Sequence, residues 1–114
     1  IVTIGSVAAF KGRTNGSIYA TAKAGPMHFT RCLAGQMRPY NVTVNVIAPG
    51  ETRTERFLAT RTVDSTRLAE SGTLDRIATV DEVARVVEFF AGPMAAFVSG
   101  QVIRIDGGGQ AWPA

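Results

Sequence analysis

A run of β-branched residues that ends in a turn is the strongest fold signal in this chain. Residues 42–48 read Val-Thr-Val-Asn-Val-Ile-Ala, and Pro49 and Gly50 follow them directly. β-Branched side chains favour extended backbone and the Pro-Gly pair ends it, so the sequence predicts a strand here. Two further short apolar runs, residues 1–4 and 101–105, have the same character. The sequence therefore predicts about three short strands.

Two segments between these strands have helical spacing. Residues 18–37 repeat small and apolar side chains at intervals typical of a helix, although Pro26 inside the segment predicts either a kink or a later start. Thr79 and Glu82 match a capping box, in which the two residues cap the first turn of a helix reciprocally. The sequence therefore predicts a second helix from Thr79 through Phe90.

The order of these elements is strand, helix, strand, irregular segment, helix, strand. Strands separated by helices predict an α/β fold with parallel strands and right-handed crossovers. The irregular segment, residues 51–76, is polar and rich in arginine and threonine, which predicts short helices in a mobile stretch. Three strands make a thin sheet, and the chain opens directly in the apolar run 1–4. We therefore expect the sequence to be part of a longer chain whose remaining strands lie beside the first.

Composition excludes several classes of protein. With 46% hydrophobic and 18% charged residues the chain can bury a core, and no apolar run approaches the ~20 residues of a membrane span. The net charge is +3, and we interpret the ten arginines and two lysines as solvated helix faces instead of a nucleic-acid surface. A single cysteine cannot form an internal disulfide, so we expect a cytoplasmic protein.

The histidine and the cysteine do not predict a reactive centre. His28 has no second histidine or cysteine near it, so no metal site is expected. We interpret His28 as a packing or surface residue. Cys32 lies on the same predicted helix, and we expect it to be a small buried side chain.

Four features are expected at one rim of the sheet. Tyr19 and Lys23 are four residues apart, so on a helix they share a face, and an ammonium beside a phenol favours the phenolate that acts as a base. Ser6 follows the first strand, while Pro49–Gly50 and then Thr54 follow the second. In open α/β sheets ligands bind at the carboxyl ends of the strands, which is where these residues are placed.

Five motifs occur in this order along the chain: Ile-Val-Thr-Ile-Gly-Ser6; Tyr19-Ala-Thr-Ala-Lys23-Ala-Gly; Val44-Asn-Val-Ile-Ala-Pro49-Gly-Glu-Thr-Arg-Thr54; Thr79-Val-Asp-Glu-Val-Ala; and Ser99-Gly-Gln-Val-Ile-Arg-Ile-Asp-Gly-Gly. In order and spacing they resemble the C-terminal half of a classical short-chain dehydrogenase/reductase. The resemblance covers essentially the whole chain.

The resemblance implies the C-terminal half of a Rossmann-type doubly wound parallel sheet, with about three parallel strands and crossover helices. Residues 1–114 would form the C-terminal part of a single domain, with residues 51–76 as a substrate lid. The family's glycine-rich phosphate loop, which belongs to the N-terminal dinucleotide-binding half, does not occur in this sequence. The resemblance therefore implies a parent chain of about twice this length and an isolated segment that is inactive.

The resemblance also assigns roles to individual residues. Tyr19 would be the general acid/base of hydride transfer between NAD or NADP and an alcohol/ketone pair. Ser6 would hydrogen-bond the reacting oxygen, and Lys23 would hold the nicotinamide ribose and favour the tyrosinate. The cofactor-binding residues would be Tyr19, Lys23, Pro49, Gly50, Thr52 and Thr54.

Phe10, Phe57 and Leu58 are candidates to line an apolar pocket for a small alcohol or carbonyl substrate, and the alternative for each is a local contact with the core. No nucleic-acid or membrane partner is expected, and the family resemblance implies a homo-oligomer, either a dimer or a tetramer. An alternative function of another class is a non-catalytic assembly module that docks its sheet onto a complementary half.

Overall fold

The computed structural model describes residues 1–110. Three parallel strands form one sheet in the order β1-β2-β3. The strands and α-helices are β1 (Val2–Ile4), α1 (Ser17–Met37), β2 (Asn45–Pro49), α2 (Glu55–Thr60), α3 (Val80–Ala91) and β3 (Val102–Ile105). Short 3-10 helices cover Val7–Ala9, Arg38–Tyr40, Ser65–Leu68 and Pro93–Ala95. The predicted α/β class with three parallel strands is confirmed.

The middle strand begins three residues later than its β-branched run predicts. Val44 donates its N–H to Ser99 Oγ at 3.1 Å and accepts a hydrogen bond from the Gly100 N–H at 2.7 Å. These bonds tie Val44 to the turn before β3, so the strand itself starts at Asn45 and continues through Pro49. The difference arises from long-range contacts that the local sequence does not encode.

Helices cover both faces of the sheet. On one face, Thr3 Oγ1 of β1 lies 2.8 Å from Oγ1 of Thr30, which α1 buries completely. On the other face, Ile47 of β2 packs with Phe90 of α3 in the hydrophobic core. Thr3 pairs with Val46, and successive strand residues point to opposite faces, so α1 and α3 lie on opposite sides. The sheet is therefore doubly wound, as predicted.

Both long helices begin close to their predicted starts. Thr79 Oγ1 accepts a hydrogen bond from the Glu82 N–H at 3.3 Å, and the Glu82 carboxylate accepts one from the Thr79 N–H at 2.8 Å. The predicted capping box is thereby confirmed. Helix α1 starts at Ser17 and continues through Pro26, so the proline neither ends the helix nor delays its start.

The surface of α1 corrects one prediction. Cys32 is exposed, not buried, because the buried positions of this helix are Thr30 and Ala34. His28 is exposed as well, which agrees with a surface position. Within residues 1–110, no three His, Cys, Asp or Glu side chains gather into a group that could hold a metal ion. No helix in that range combines the length and hydropathy needed to cross a membrane.

A buried asparagine joins β2 to the turn that precedes β3. Asn45 is 1% exposed; its Nδ2 donates to the Val98 carbonyl at 2.8 Å and its Oδ1 accepts from the Gln101 N–H at 3.1 Å. Both bonds span more than fifty residues of chain. Asn45 therefore holds the end of the sheet in register with a distant segment.

Replacement of Asn45 by alanine is expected to lower the free energy of unfolding by about 1–3 kcal/mol, because the buried Asn45 side chain is lost and two part-buried backbone groups, the Val98 carbonyl and the Gln101 N–H, lose their partner. Urea unfolding of the natural polypeptide that carries these residues measures this loss. The matched control is Gln101→Ala, since that exposed side chain makes only a 3.3 Å bond to the Ser99 carbonyl. An Asn45→Ala variant as stable as this control would contradict the assigned role.

Candidate active site

Ser6 lies two residues after the end of β1 and caps the first 3-10 helix. Its backbone is extended, and its Oγ accepts a hydrogen bond from the Ala8 N–H at 3.2 Å. Because a serine hydroxyl has one proton and two lone pairs, this cap leaves the proton available to donate. The preceding Gly5 permits close packing at this point, since a Cβ there would lie 3.1 Å from Val46 Cγ1 and 3.2 Å from Met27 Cγ.

Tyr19 and Lys23 lie on the first turns of α1. The Lys23 Nζ lies 5.9 Å from the centroid of the Tyr19 ring, so the two side chains share one face of the helix as their spacing predicts. Tyr19 is 52% exposed. The phenol is therefore accessible to a bound molecule, with the ammonium beside its ring.

The segment that follows β2 is held by hydrogen bonds to β3 and by the hydroxyl groups of two threonines. The Gly50 N–H donates to the Ile105 carbonyl at 2.9 Å, and Thr52 Oγ1 donates to the Gly50 carbonyl at 3.1 Å. Thr54 Oγ1 accepts from the Phe57 N–H at 3.1 Å and caps α2. These bonds fix the backbone of residues 50–54 at the edge of the sheet.

A glycine turn after β3 completes this rim. Gly107 has a φ of +61°, and a Cβ on it would lie 2.8 Å from the Leu74 carbonyl oxygen. Only glycine suits both the left-handed conformation and this close approach. The Gly107 turn thereby brings the segment 51–76 against the carboxyl end of the sheet.

One cavity of about 1300 Å³ opens at the carboxyl ends of the strands. Among the residues that line it are the predicted site residues Ser6, Tyr19, Pro49, Gly50, Thr52, Thr54 and Phe57. Lys23 is not on the cavity wall and lies behind Tyr19 on the helix. The structure therefore brings Ser6 and Tyr19 to one cavity with the turn that follows β2.

Two predicted pocket residues lie elsewhere. The Phe10 ring packs against the Arg104 guanidinium of β3, with the Arg104 Cζ 4.8 Å from the ring centroid, and Phe10 is not on the cavity wall. Leu58 is 43% exposed and also lies off the wall, because its neighbour Phe57 takes the position facing the cavity. Hydrophobic character alone did not distinguish these positions.

Two ion pairs form between residues that line the cavity. Arg76 donates to both oxygens of the Glu82 carboxylate, at 2.5 and 2.8 Å, and Arg67 Nη2 lies 2.7 Å from Glu51 Oε2. The Arg76 bonds, helped by the Thr79 N–H, lower the pKa of Glu82 from 4.5 to about 2. The Glu51 carboxylate in turn raises the pKa of Arg67. All four residues line the cavity, and each charge is neutralised by its ion-pair partner.

The Glu82 carboxylate is expected to make the fold sensitive to acid. Because its pKa is lower in the folded state, its stabilisation is complete above pH 4.5 and is lost as the pH falls towards 2. The difference in unfolding free energy between the wild type and Glu82→Gln should therefore shrink across this range in urea titrations.

The matched control for this titration is Glu88→Gln, an exposed residue of α3 that has no ion pair among the described residues. This substitution should change stability little at any pH. A Glu82→Gln difference that stays constant between pH 4.5 and 2 would contradict the role assigned to the carboxylate.

Four basic residues on the cavity wall were not predicted from the sequence. Lys11, Arg13, Arg56 and Arg61 line the cavity, although the basic residues were interpreted as solvated helix faces. One signal was present in the sequence, because all nine acidic residues follow Gly50. Lys11 and Arg13 therefore never had acidic neighbours along the chain.

Comparison with known proteins establishes the class to which this fold and this rim belong. Residues 1–110 match the family described as enoyl-(acyl carrier protein) reductase. The chain belongs to the short-chain dehydrogenase/reductase family of oxidoreductases, as its motifs predicted.

Two curated relatives illustrate the similarity. The chain is 37% identical over 108 residues to the 3-oxoacyl-(acyl-carrier-protein) reductase of Aquifex aeolicus, covering 95% of this chain and 44% of that protein. It is 38% identical over 115 residues to the short-chain reductase protein NovJ of Streptomyces niveus, with the same coverage. The chain thus spans less than half the length of these relatives.

Solved structures give the same picture. A short-chain dehydrogenase/reductase family protein superposes with a TM-score of 0.79 at 37% identity, over 95% of this chain and 44% of that one. A 7α-hydroxysteroid dehydrogenase in complex with NADH and 7-oxo glycochenodeoxycholic acid superposes with a TM-score of 0.82 at 30% identity, over 94% and 42%. The three-stranded sheet is therefore similar to part of a Rossmann-type domain.

Proposed function

We propose that this chain supplies the catalytic half of an oxidoreductase that transfers hydride between NAD or NADP and an alcohol/carbonyl pair. The observation that carries the proposal is the placement of Ser6 and Tyr19 on one cavity, with the Lys23 ammonium 5.9 Å from the Tyr19 ring. Membership of an oxidoreductase family supports the same conclusion. The whole enzyme's substrate and activity are part of this proposal.

The proposed chemistry divides protons and electrons between the chain and the cofactor. Hydride arriving at a carbonyl carbon leaves negative charge on the oxygen, and Tyr19 donates its phenol proton to that oxygen. In the reverse direction its phenolate removes the proton from the alcohol. The free Ser6 proton forms a hydrogen bond to the same oxygen and holds it in place. Lys23, beside the Tyr19 ring, would favour the phenolate and hold the ribose hydroxyls of a bound nicotinamide nucleotide.

The backbone after β2 suits a nicotinamide carboxamide, and NAD or NADP bound there would supply or accept the hydride. The bridge between Thr52 and Ala78 uses the Glu51 carbonyl and the Arg53 N–H, at 3.0 and 2.8 Å. Because successive backbone groups of an extended segment point in opposite directions, the Thr52 N–H faces away from Ala78 and can donate to a ligand. Thr54 keeps its hydroxyl proton for the same purpose, since its Oγ1 accepts the α2 cap.

We propose that residues 51–76 act as the substrate lid. The base of this segment is anchored, because Arg53 bonds the Leu68 carbonyl and Arg67 bonds Glu51. Helix α2, by contrast, buries none of its residues, and it places Phe57 on the cavity wall. A weakly packed helix on an anchored base is what a closing segment requires.

The Ser6 hydroxyl offers a direct test of the proposed site. Ser6→Ala in the natural polypeptide should lower kcat for ketone reduction about 10²-fold, because one donor to the developing oxyanion is removed. The loss of nicotinamide absorbance measures the rate. Ser17→Ala is the matched control, since Ser17 is an exposed serine at the start of α1. Equal rates for the two variants would contradict the proposal.

A second candidate function is assembly, either with a complementary sheet half or as a homo-oligomer. Strand β1 lies at the edge of the sheet with Ile4 50% exposed, and Met94 and Phe97 are fully or almost fully exposed. Exposed apolar side chains of this size favour a protein contact. Light scattering on the purified chain tests this candidate: a dimer, tetramer or stable complex supports it, and a monomer that persists at all concentrations argues against it.

A further inference from the structure

The charges on the cavity wall do not balance. Three acidic side chains line the cavity, and each is already engaged. Glu51 pairs with Arg67, and Glu82 pairs with Arg76. The Asp106 carboxylate accepts backbone N–H groups from the Gly108 and Gln110 positions, both at 3.0 Å. Among the described residues of this wall, only the Asp106 carboxylate has no ion pair, so three acidic side chains face six basic ones.

Four cations on the same wall lack such a partner. Lys11, Arg13, Arg56 and Arg61 line the cavity, and none has a carboxylate within 4.0 Å among the described residues. The first two belong to the loop between β1 and α1, and the others to α2 and its carboxyl end. Two separate segments therefore bring positive charge to one space.

These segments also carry the groups assigned to the reaction. The loop of Lys11 and Arg13 runs between Ser6 and Tyr19, and α2 begins directly after Thr54. The Arg61 guanidinium lies over the Phe57 ring, with its Cζ 5.8 Å from the ring centroid, and Phe57 itself faces the cavity. An aromatic face thus orients one of the cations at the cavity wall.

We infer that the carbonyl substrate of this site carries an anionic group, a carboxylate or a phosphate, which the cations of the 11–13 loop and α2 hold while the carbonyl lies between Ser6 and Tyr19. This inference rests on the proposed function and deepens it by naming the substrate class. Guanidinium groups suit both anions, because their planar donors can bind two oxygens at once.

Three ketones that differ only in their substituent test the inference. The probes are 4-acetylbenzoate, 4-acetylphenyl phosphate and the neutral methyl 4-acetylbenzoate. Calorimetry with the natural polypeptide gives the dissociation constant of each probe in the absence of turnover. A separate assay with NADH or NADPH then shows whether each probe is reduced. The anionic probes should bind on the order of tenfold more tightly than the ester, since several exposed charge pairs each contribute modestly. Comparison of the two anions distinguishes a carboxylate site from a phosphate site.

Charge-removing variants then locate the effect. Arg13→Gln combined with Arg56→Gln should bring the anionic probes to the affinity of the ester and leave the affinity for the ester unchanged. Arg31→Gln combined with Arg38→Gln is the matched control, because both arginines are exposed and lie off the cavity. This control should keep the preference for anions. Equal binding of all three probes by the wild type, including no measurable binding, overturns the inference.

Two further outcomes distinguish an anionic-substrate site from a cofactor-phosphate site and from a failure of the proposed function. If the Arg13/Arg56 variant instead loses affinity for NADH or NADPH while the anion preference persists, the cations serve the cofactor phosphates and the inference is wrong. If the anionic probes bind in a charge-dependent manner but none is reduced, the anion site stands and the proposed oxidoreductase function fails. Binding measured without turnover therefore distinguishes the two failures.

Discussion

Tyr19→Phe is expected to lower kcat/KM for ketone reduction by about 10³-fold in the natural polypeptide. The substitution removes one oxygen and keeps the ring, so the contact with Lys23 and the first turn of α1 remain. Positioned acid–base groups typically contribute 10²–10⁴-fold, and no other phenol among the described residues lines the cavity. Because Tyr19 is about half exposed, the free energy of unfolding should be unchanged.

The matched control for this prediction is Tyr40→Phe. Tyr40 is 72% exposed, lies in the 3-10 helix after α1 and is not on the cavity wall. It should retain wild-type kcat and KM. A Tyr19→Phe variant within tenfold of the wild type would show that another group or water supplies the proton, and the role assigned to Tyr19 would then be wrong.

The Tyr19 result also bears on how the substrate is held. If Tyr19 acts only on the proton, Tyr19→Phe should change kcat much more than KM and should leave the dissociation constant of a ketone probe unchanged. A loss confined to KM would indicate that the phenol binds the substrate instead of reacting with it. Measurement of both constants therefore separates a catalytic role from a binding role.

Local signals predicted most of the framework. The β-branched run before Pro49 gave a strand, and the reciprocal bonds of Thr79 and Glu82 begin α3 where the capping-box pattern predicts. The four-residue spacing of Tyr19 and Lys23 placed their side chains together because helical geometry depends only on sequence separation. Features determined by nearest neighbours along the chain were thus accessible from the sequence.

Features that depend on distant segments were not accessible. The start of β2 is displaced by bonds between Val44 and the turn before β3. Phe10 packs on Arg104, which lies more than ninety residues later in the chain, and so it leaves the cavity wall. Both differences have the same cause, because the start of a strand and the direction of a side chain are decided by contacts with distant segments and not by local hydrophobicity.

The basic wall of the cavity is the clearest example of this limit. Lys11 and Arg13 precede α1, whereas Arg56 and Arg61 follow β2, and only the parallel sheet brings the two segments to one edge. Two other cations of the cavity wall are neutralised, because Arg67 pairs with Glu51 and Arg76 pairs with Glu82. Net charge along the sequence, +3, reveals neither the clustering nor the neutralisation.

The 114-residue chain by itself is expected not to bind NADH or NADPH at micromolar concentrations. The groups proposed for the nicotinamide end, the Thr52 N–H and the Thr54 hydroxyl, belong to residues of its cavity, whereas the glycine-rich phosphate loop implied by the family resemblance does not occur in the sequence. Helix amino termini with glycine-rich loops supply the backbone donors that hold a pyrophosphate. Without them a dinucleotide loses most of its charged contacts, so its affinity should fall by at least 100-fold.

Calorimetric titration of the purified chain with each dinucleotide measures the dissociation constant and so tests this prediction. Circular dichroism establishes that the chain is folded under the same conditions. The 7α-hydroxysteroid dehydrogenase that was solved with NADH serves as the positive control. Micromolar affinity in the folded 114-residue chain would contradict the prediction. It would mean that the rim of Ser6, Tyr19 and residues 49–54 holds a dinucleotide through its nicotinamide end alone. Most of the binding free energy would then not come from a glycine-rich phosphate loop in the other half of the sheet.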